Sequence, residues 1–262
     1  MLAGEPAVEV LGHRIVWSAA LTLGLVLALG RAELLVGVFR DKKRLLGLTA
    51  SALCITLNWG FFIWGVGHGR ALEVSLGYFM YPLCMVLLGA LFLGERLNRQ
   101  QLAAVLLVGA GVAVMTIGQG GVPWLVLVFP LSFGFYGLLR KTVAVDSLVG
   151  LTVETMLLFP LALAYLATRP DGGALLAGNG GTTALLVLCG PVTAAPLLLF
   201  AYGARRLRLT TLGLMQYFNP TMQMAIAVWV FGEVFTRIHA ITFACIWGGL
   251  LLYSLPRPRP AG

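Results

Sequence analysis

The sequence predicts an all-α polytopic membrane protein built as an inverted repeat of transmembrane helices, and three observations carry that reading. The 262 residues are 59% hydrophobic and 11% charged, with a mean hydropathy of +0.93. A soluble domain carries about 25% charged residues, so these few charges cannot cover a water-facing surface. Nine apolar segments follow one another, at 7–30, 45–68, 71–93, 102–118, 123–139, 149–168, 183–203, 209–231 and 238–255. Most approach the ~20 residues that a helix needs to cross a ~30 Å hydrocarbon core. Finally, a pattern recurs 138 residues downstream: Arg70, Pro82, Gly94-Glu95 and Gly111 return as Arg208, Pro220, Gly232-Glu233 and Gly249, and Gly65 pairs with Gly203.

Each segment reads as a helix because strand-like alternation is absent and a lone lipid-facing strand leaves its backbone unsatisfied. In the first, Ile15 to Gly30 is only 16 residues, about 24 Å at the helical rise. To cross, that helix must reach back past His13 and Arg14 towards Pro6, a residue suited to a first turn. Segments 2, 3 and 4 match 7, 8 and 9 through the 138-residue offset. Five spans separate the copies, an odd number, so the copies run in opposite directions. By the same pattern the first segment matches the sixth, and the fifth matches a helix that would precede the first. The halves of a single transmembrane domain over 1–262 therefore read as 1–118 with four spans and 123–255 with five. The expectation is that the architecture has a further first helix, lacking here through a misassigned start or a truncation. Met1 to Val10 has no basic leader region and carries Glu5 and Glu9, so it does not read as a signal peptide. The linker 169–182, rich in glycine, reads as an outer loop, and Pro256 to Pro260 ends the last helix.

Charge sets the orientation. The face that receives the carboxy-terminal tail holds 14 of the 18 basic residues, among them Arg31, Arg40, Lys42, Lys43, Arg44, Arg140 and Lys141. Arg14, Arg70, Arg169 and Arg237 fall on the other. Basic loops stay in the cytoplasm, which places the carboxy terminus there and the amino terminus outside. The net charge of +8 then reflects topology and anionic lipid headgroups rather than nucleic acid. Cys54, Cys84, Cys189 and Cys245 all lie in apolar runs without metal-ligand spacing, and read as packing residues.

Candidate functional residues are the polar ones at depth. Pro82 and Pro220 fall mid-span at matched positions, and proline kinks a helix by removing a donor. They read as helix hinges. Near them lie Tyr78, Tyr81, Gln216, Tyr217 and Asn219. Glu9 and His13 share a face of the first helix, with Arg14 one residue round. Glu73 and Glu154 sit a few residues inside their spans, and Asn58-Trp59 lies mid-span. An ionised side chain at the bilayer centre costs about 2.5–3.5 kcal/mol, so such residues pair or line an aqueous path. Gly94-Glu95 and Gly232-Glu233 read as turn and capping features, and Gly65 with Gly69 as a close-packing pair. No catalytic cluster, nucleotide-binding loop or metal-ligand set is present in the sequence, so no cofactor or metal is expected and neither an enzyme nor an ATP-driven pump is the reading.

HRIVWS at 13–18, SLGYF at 75–79, FLGER at 92–96, SFGFYGLLRK at 132–141, VET at 153–155 and RLRLTTLGLMQYFNPT at 206–221 resemble the RarD proteins of the EamA group, in the drug/metabolite transporter superfamily. The resemblance implies ten helices in a five-plus-five inverted repeat, residence in the bacterial inner membrane and export of small molecules. Tyr81 stands where the resembled family has asparagine before its proline, while Asn219 keeps the Asn-Pro form. The combined reading is a secondary transporter of small organic metabolites or drugs working by alternating access. His13, Arg14, Asn58, Trp59, Tyr78, Tyr81, Glu154, Gln216, Tyr217 and Asn219 are its substrate-binding or cavity-lining residues. Its partners are a small-molecule substrate and membrane lipids. The rival readings are a non-transporting membrane subunit and a membrane enzyme acting on lipid intermediates.

The charge asymmetry makes a direct prediction. Single cysteines on a Cys-free background are labelled from outside by an impermeant thiol reagent near Gly173 and protected near Lys42. The reverse pattern overturns the orientation.

Overall fold

A computed structural model describes residues 6–93, 98–169, 180–204 and 218–255. Ten helices occur among the described residues: α1 Ala7–Ala28, α2 Ala32–Arg40, α3 Lys42–Gly67, α4 Ala71–Leu93, α5 Arg99–Gln119, α6 Trp124–Thr142, α7 Ser147–Ala167, α8 Gly180–Ala204, α9 Phe218–Trp229 and α10 Arg237–Ser254. Six are long and apolar enough to cross a membrane: α1, α3, α5, α6, α7 and α10, with a shorter apolar stretch in α8. The chain is therefore a polytopic helical membrane protein. The segment 209–231 enters the described residues only as α9. α1 begins at Ala7 directly after Pro6, and its 22 residues extend about 33 Å. The segment 31–44, read above as loop, contains the short helix α2.

The chain forms two compact units. One comprises Met1–His68 and Phe135–Met215, the other Gly69–Gly134 and Gln216–Gly262. Each unit takes helices from both halves of the sequence, and the division falls within α6.

In the first unit α1 runs antiparallel to α7. Glu9 meets Arg169 at 3.0 Å and Arg31 meets Asp146 at 3.2 Å, at opposite ends of the pair. Between them Gly12 faces Leu166, and Val26 packs with Leu148, Val149 and Val153. Local chemistry sets these ends. Gly30 takes φ +65°, and the N–H groups of Gly30 and Arg31 bond back to Leu27 and Val26. This is the glycine-terminated helix end that satisfies the last carbonyls, and it delivers Arg31 to Asp146. Asp146 in turn caps α7 by accepting from the N–H groups of Leu148 and Val149. α3 joins through a stripe at Leu48, Ser51, Ala52, Ile55, Asn58 and Trp59, a spacing that lines one face of a 3.6-residue helix.

In the second unit α5 runs antiparallel to α10. Gln100 donates to the carbonyl of Leu255 at 3.1 Å, Gly111 meets Thr242 and Cys245, and Gly118 meets Ile238. A Cβ on Gly111 would lie 2.8 Å from the Cys245 Cβ, and one on Gly249 would lie 2.8 Å from Val108 Cγ2 and 2.9 Å from the Ala104 carbonyl oxygen. The contacts are reciprocal: Gly111 touches Thr242, and Gly249 touches Ala104, each 138 residues away from its counterpart. The repeated glycines recur because the same close crossing is made twice, from opposite sides.

Three helix pairs that share the 138-residue offset thus pack together, α1 with α7, α4 with α9, and α5 with α10, whereas α3 and α8 share it but pack chiefly on α1 and α7. Two further matched pairs emerge from the structure. Arg31 and Arg169 are 138 apart, and each follows its helix to reach an acid at the start of the other, the N-cap Asp146 and the first-turn Glu9. Gly12 and Gly150 keep the same offset. Gly69, read above as a packing glycine, instead takes φ +66° just beyond α3 with open space around its Cβ position. It is a turn residue.

The crossing of α5 and α10 supplies the prediction. Gly249→Ala must push Val108 and the Ala104 backbone aside, at a cost of about 1–3 kcal/mol. Gly24→Ala, where no atom lies within 4 Å of the Cβ position, meets no clash and is neutral or stabilising by up to about 1 kcal/mol. Thermal unfolding in detergent compares the two, and equal melting temperatures refute the tight crossing.

Candidate functional site

The first unit gathers five of the residues singled out above. His13 and Arg14 lie on α1, and Asn58 and Trp59 on α3. The Arg14 guanidinium stands over the Trp59 ring at 4.7 Å, and its Nε donates to Thr193 Oγ1 on α8 at 3.0 Å. A planar guanidinium on an indole face gains quadrupole attraction, and more so when shielded from water. His13 and Asn58 are buried. α1 and α8 approach closely because Gly190 sits against the backbone of Trp17, where the Ser18 hydroxyl reaches the Gly190 carbonyl at 3.4 Å. Among the described residues His13 Nε2 and Trp17 Nε1 make no hydrogen bond. Buried polar atoms left over in this way mark a place that water or a ligand completes. The cluster offers a cation, an aromatic face and two unused ring nitrogens within apolar helices. Thr193 and Trp17 are members that the sequence reading missed. Trp17 stands four residues from His13, one turn along the same face, which is a signal that was available.

Glu154, the fifth, lies on α7 at 1% exposure. Ser51 of α3 donates to its Oε1 at 2.6 Å, and Arg140 Nη1 of α6 lies 3.6 Å from the same oxygen. Arg140 Nη2 donates to the Ser147 carbonyl at 3.3 Å. Gly150, one turn before Glu154, leaves the space the guanidinium fills. Arg140 Nη1 and Glu154 Oε2 make no hydrogen bond among the described residues. The pair is therefore held by charge and by Ser51 rather than by a two-pronged fork. Ser51 and Asn58 are seven residues apart on one stripe of α3, which sets the Glu154 level about 10 Å along that helix from the Arg14 level.

The second unit holds the remaining described candidates. Tyr78 packs on Phe129 at 5.0 Å and Phe133 at 6.4 Å between ring centroids, and Tyr81 on Phe133 at 4.9 Å. Asn219 is exposed and accepts from Gln223 at 3.2 Å. The Pro220 carbonyl accepts from the Ser75 hydroxyl at 2.8 Å, tying α9 to α4. Pro82 falls within α4, its side chain outside the described residues. Gln216 and Tyr217, with Gly94-Glu95, also lie outside them. Prolines that the sequence reading passed over stand inside helices: Pro130 in α6, Pro160 in α7, and Pro191 and Pro196 in α8.

At the start of α4 a cavity of about 310 Å³ is lined by Arg70, Glu73, Phe231, Glu233 and His239, among others. Its acids are engaged. Glu73 receives two hydrogen bonds from Arg70, both 2.7 Å. The Glu233 carboxylate accepts from the N–H groups of Ala71 and Leu72 at 2.6 and 2.8 Å. Glu233 is thus a cap, as read, but it caps α4 rather than the helix it follows.

Charged and polar side chains thus lie inside the apolar helices of a polytopic membrane protein. Residues 1–117 match the EamA-like transporter family. An uncharacterized transporter of Bacillus subtilis, YojE, is 42% identical over 99% of this chain and 88% of its own length. The RarD protein of Escherichia coli is 40% identical over 95% of this chain and 85% of its own. A Pseudomonas aeruginosa relative named chloramphenicol-sensitive protein RarD is 34% identical over 94% of this chain and 84% of its own. The chain belongs to the EamA-like transporters, beside the RarD proteins, in the drug/metabolite transporter superfamily. A solved crystal structure shares the fold at a TM-score of 0.58 and 22% identity, covering 95% of this chain and 89% of the other.

The Arg140–Glu154 pair yields a test by double-mutant cycle. Arg140→Met leaves a buried carboxylate without its counter-charge and costs about 3–5 kcal/mol. Adding Glu154→Gln recovers most of that loss, because the buried charge is gone. Denaturation in detergent measures both. Additive losses in the double variant refute the coupling.

Proposed function

We propose that this chain is a secondary transporter that exports small organic molecules across the bacterial inner membrane by alternating access, without a cofactor. The observation that carries the reading is the Arg14 cluster in a chain of a transporter family. An arginine held at depth by Trp59 and Thr193, beside His13, is kept there at a desolvation cost. Arg14 holds an anionic or zwitterionic group of the substrate, His13 and Asn58 supply hydrogen bonds, and Trp59 covers an apolar part. Glu154 accepts a proton where transport is coupled to protons. In the second unit Tyr78, Tyr81 and Asn219 contact substrate, with Gln216 and Tyr217, and Pro82 and Pro220 act as hinges. The antiparallel packing of helices related by the 138-residue offset supports an inverted repeat with halves at 1–118 and 123–255, a plan that secondary transporters use. The basic-residue bias supports a cytoplasmic carboxy terminus.

The test is uptake of a labelled panel into everted vesicles, with chloramphenicol included because one relative carries its name. A transported compound is expected, and Arg14→Lys reduces its rate at least about tenfold. Lysine keeps the charge but loses the Nε donor to Thr193 and the planar face on Trp59. The melting temperature in detergent stays near that of the parent. Transport unaffected by Arg14→Lys removes Arg14 from the substrate path. No transport of any compound favours a non-transporting subunit.

A further inference from the structure

The short helix α2 lies between two long apolar helices and cannot itself cross a membrane. Its nine residues extend about 14 Å, half a hydrocarbon core. One face is spoken for: Leu35 and Val38 enter the core of the first unit with Val26, Leu48 and Leu148. The flanks are not. Leu34, Val36 and Phe39 are 56%, 47% and 39% exposed. Where α2 ends, Arg40, Lys42 and Lys43 stand exposed side by side, and none makes an ion pair among the described residues. The one acid in this stretch is already engaged. Asp41 caps α3 through the N–H groups of Lys43 and Arg44 and pairs with Arg44 Nε at 3.0 Å. Glu33 lies at the other end of α2.

We propose that α2 and the α2–α3 junction form a docking surface for anionic phospholipid. Leu34, Val36 and Phe39 enter the boundary between headgroups and acyl chains, as the apolar face of an interfacial helix does. Arg40, Lys42 and Lys43 hold the phosphate of the headgroup. Charge complementarity selects the occupant: three unpaired cations beside exposed apolar side chains fit a ligand that is both anionic and acylated. A protein segment meeting the same face would have to supply both features at once. Arg31 immediately before α2 pairs with Asp146, the cap of α7, so lipid held on α2 also braces the start of α7.

The full-length protein in a neutral detergent is titrated with phosphatidylglycerol, and bound lipid is counted by native mass spectrometry. The R40Q/K42Q/K43Q variant binds about 100-fold more weakly, at roughly a fivefold loss per basic residue. The L34S/F39S variant is also weakened. Phosphatidylcholine, with no net charge, binds parent and triple variant alike and weakly. Glycerol phosphate in excess leaves the bound phosphatidylglycerol in place, which separates a lipid site from a free-phosphate site. Phosphatidylglycerol raises the melting temperature of the parent and not of the triple variant. Equal binding by parent and triple variant overturns the proposal, as does full displacement by glycerol phosphate. If the triple variant melts early without lipid, Lys42→Gln and Lys43→Gln are compared singly. Each is expected to bind about fivefold more weakly, and parent-like binding by both overturns the proposal equally.

Discussion

A bilayer supplies no hydrogen bonds, and every polar group carried into it must find a partner in the protein. The α1–α7 pair obeys this constraint at both ends. Glu9 is 1% exposed and is tolerable there because Arg169 arrives from the far end of α7. At the opposite end Arg31 reaches Asp146. Two ion pairs, one at each end, fix both the direction and the register of two helices whose apolar surfaces would pack in several ways. A buried pair adds little net stability over apolar side chains of the same shape, but breaking it is costly. Its role here is to specify one arrangement.

The same constraint explains how the hydroxyl side chains are hidden. Thr22, Thr49, Thr56, Thr116, Thr152 and Thr155 donate back to carbonyls within their own helices. They therefore cost nothing in unsatisfied donors and still present small surfaces to neighbours. Close approach then depends on glycine. At Gly111 and Gly249 the α5–α10 crossing brings helices so near that a methyl group would overlap the partner. Lipid tails are as apolar as leucine, so association inside the membrane depends on such packing rather than on escape from water.

Against this background the polar groups that are not fully satisfied stand out. Among the described residues Arg169 Nε, ion-paired with Glu9, and Gln223 Oε1 in the second unit make no hydrogen bond, and neither do His13 Nε2, Trp17 Nε1, Arg140 Nη1 and Glu154 Oε2. The last four fall on two levels of the first unit, beside Arg14 and beside Ser51. By contrast, Glu73, another acid inside a span, is consumed by Arg70, and Glu233, read as a cap, by the start of α4. Charge at depth alone does not separate a ligand site from a structural pair; the donors and acceptors that remain after ion pairs and hydrogen bonds are assigned narrow the choice.

Much of this was legible in the chain itself. Low charge and repeated apolar segments determined the class, because no other solvent suits such a surface. The 138-residue offset pointed to which helices are related, and the short span from Ile15 required α1 to begin near Pro6. His13, Arg14 and Glu154 stood out as ionisable residues within apolar spans, whereas Arg140 read only as a basic residue of the cytoplasmic face. Tertiary structure alone decided the rest. Arg31 and Arg169 share the repeat offset, yet their partners Asp146 and Glu9 became visible only once α1 and α7 lay antiparallel. Thr193 joined Arg14 across 179 residues, and Ser51 joined Glu154 across 103. α2 looked like a basic loop, since nine residues carry too little periodicity to separate a helix from a turn until Leu35 and Val38 find a core. Local sequence records the solvent a segment prefers and the breaks it tolerates. Which side chains meet depends on helix register, and register is a property of the packed pair.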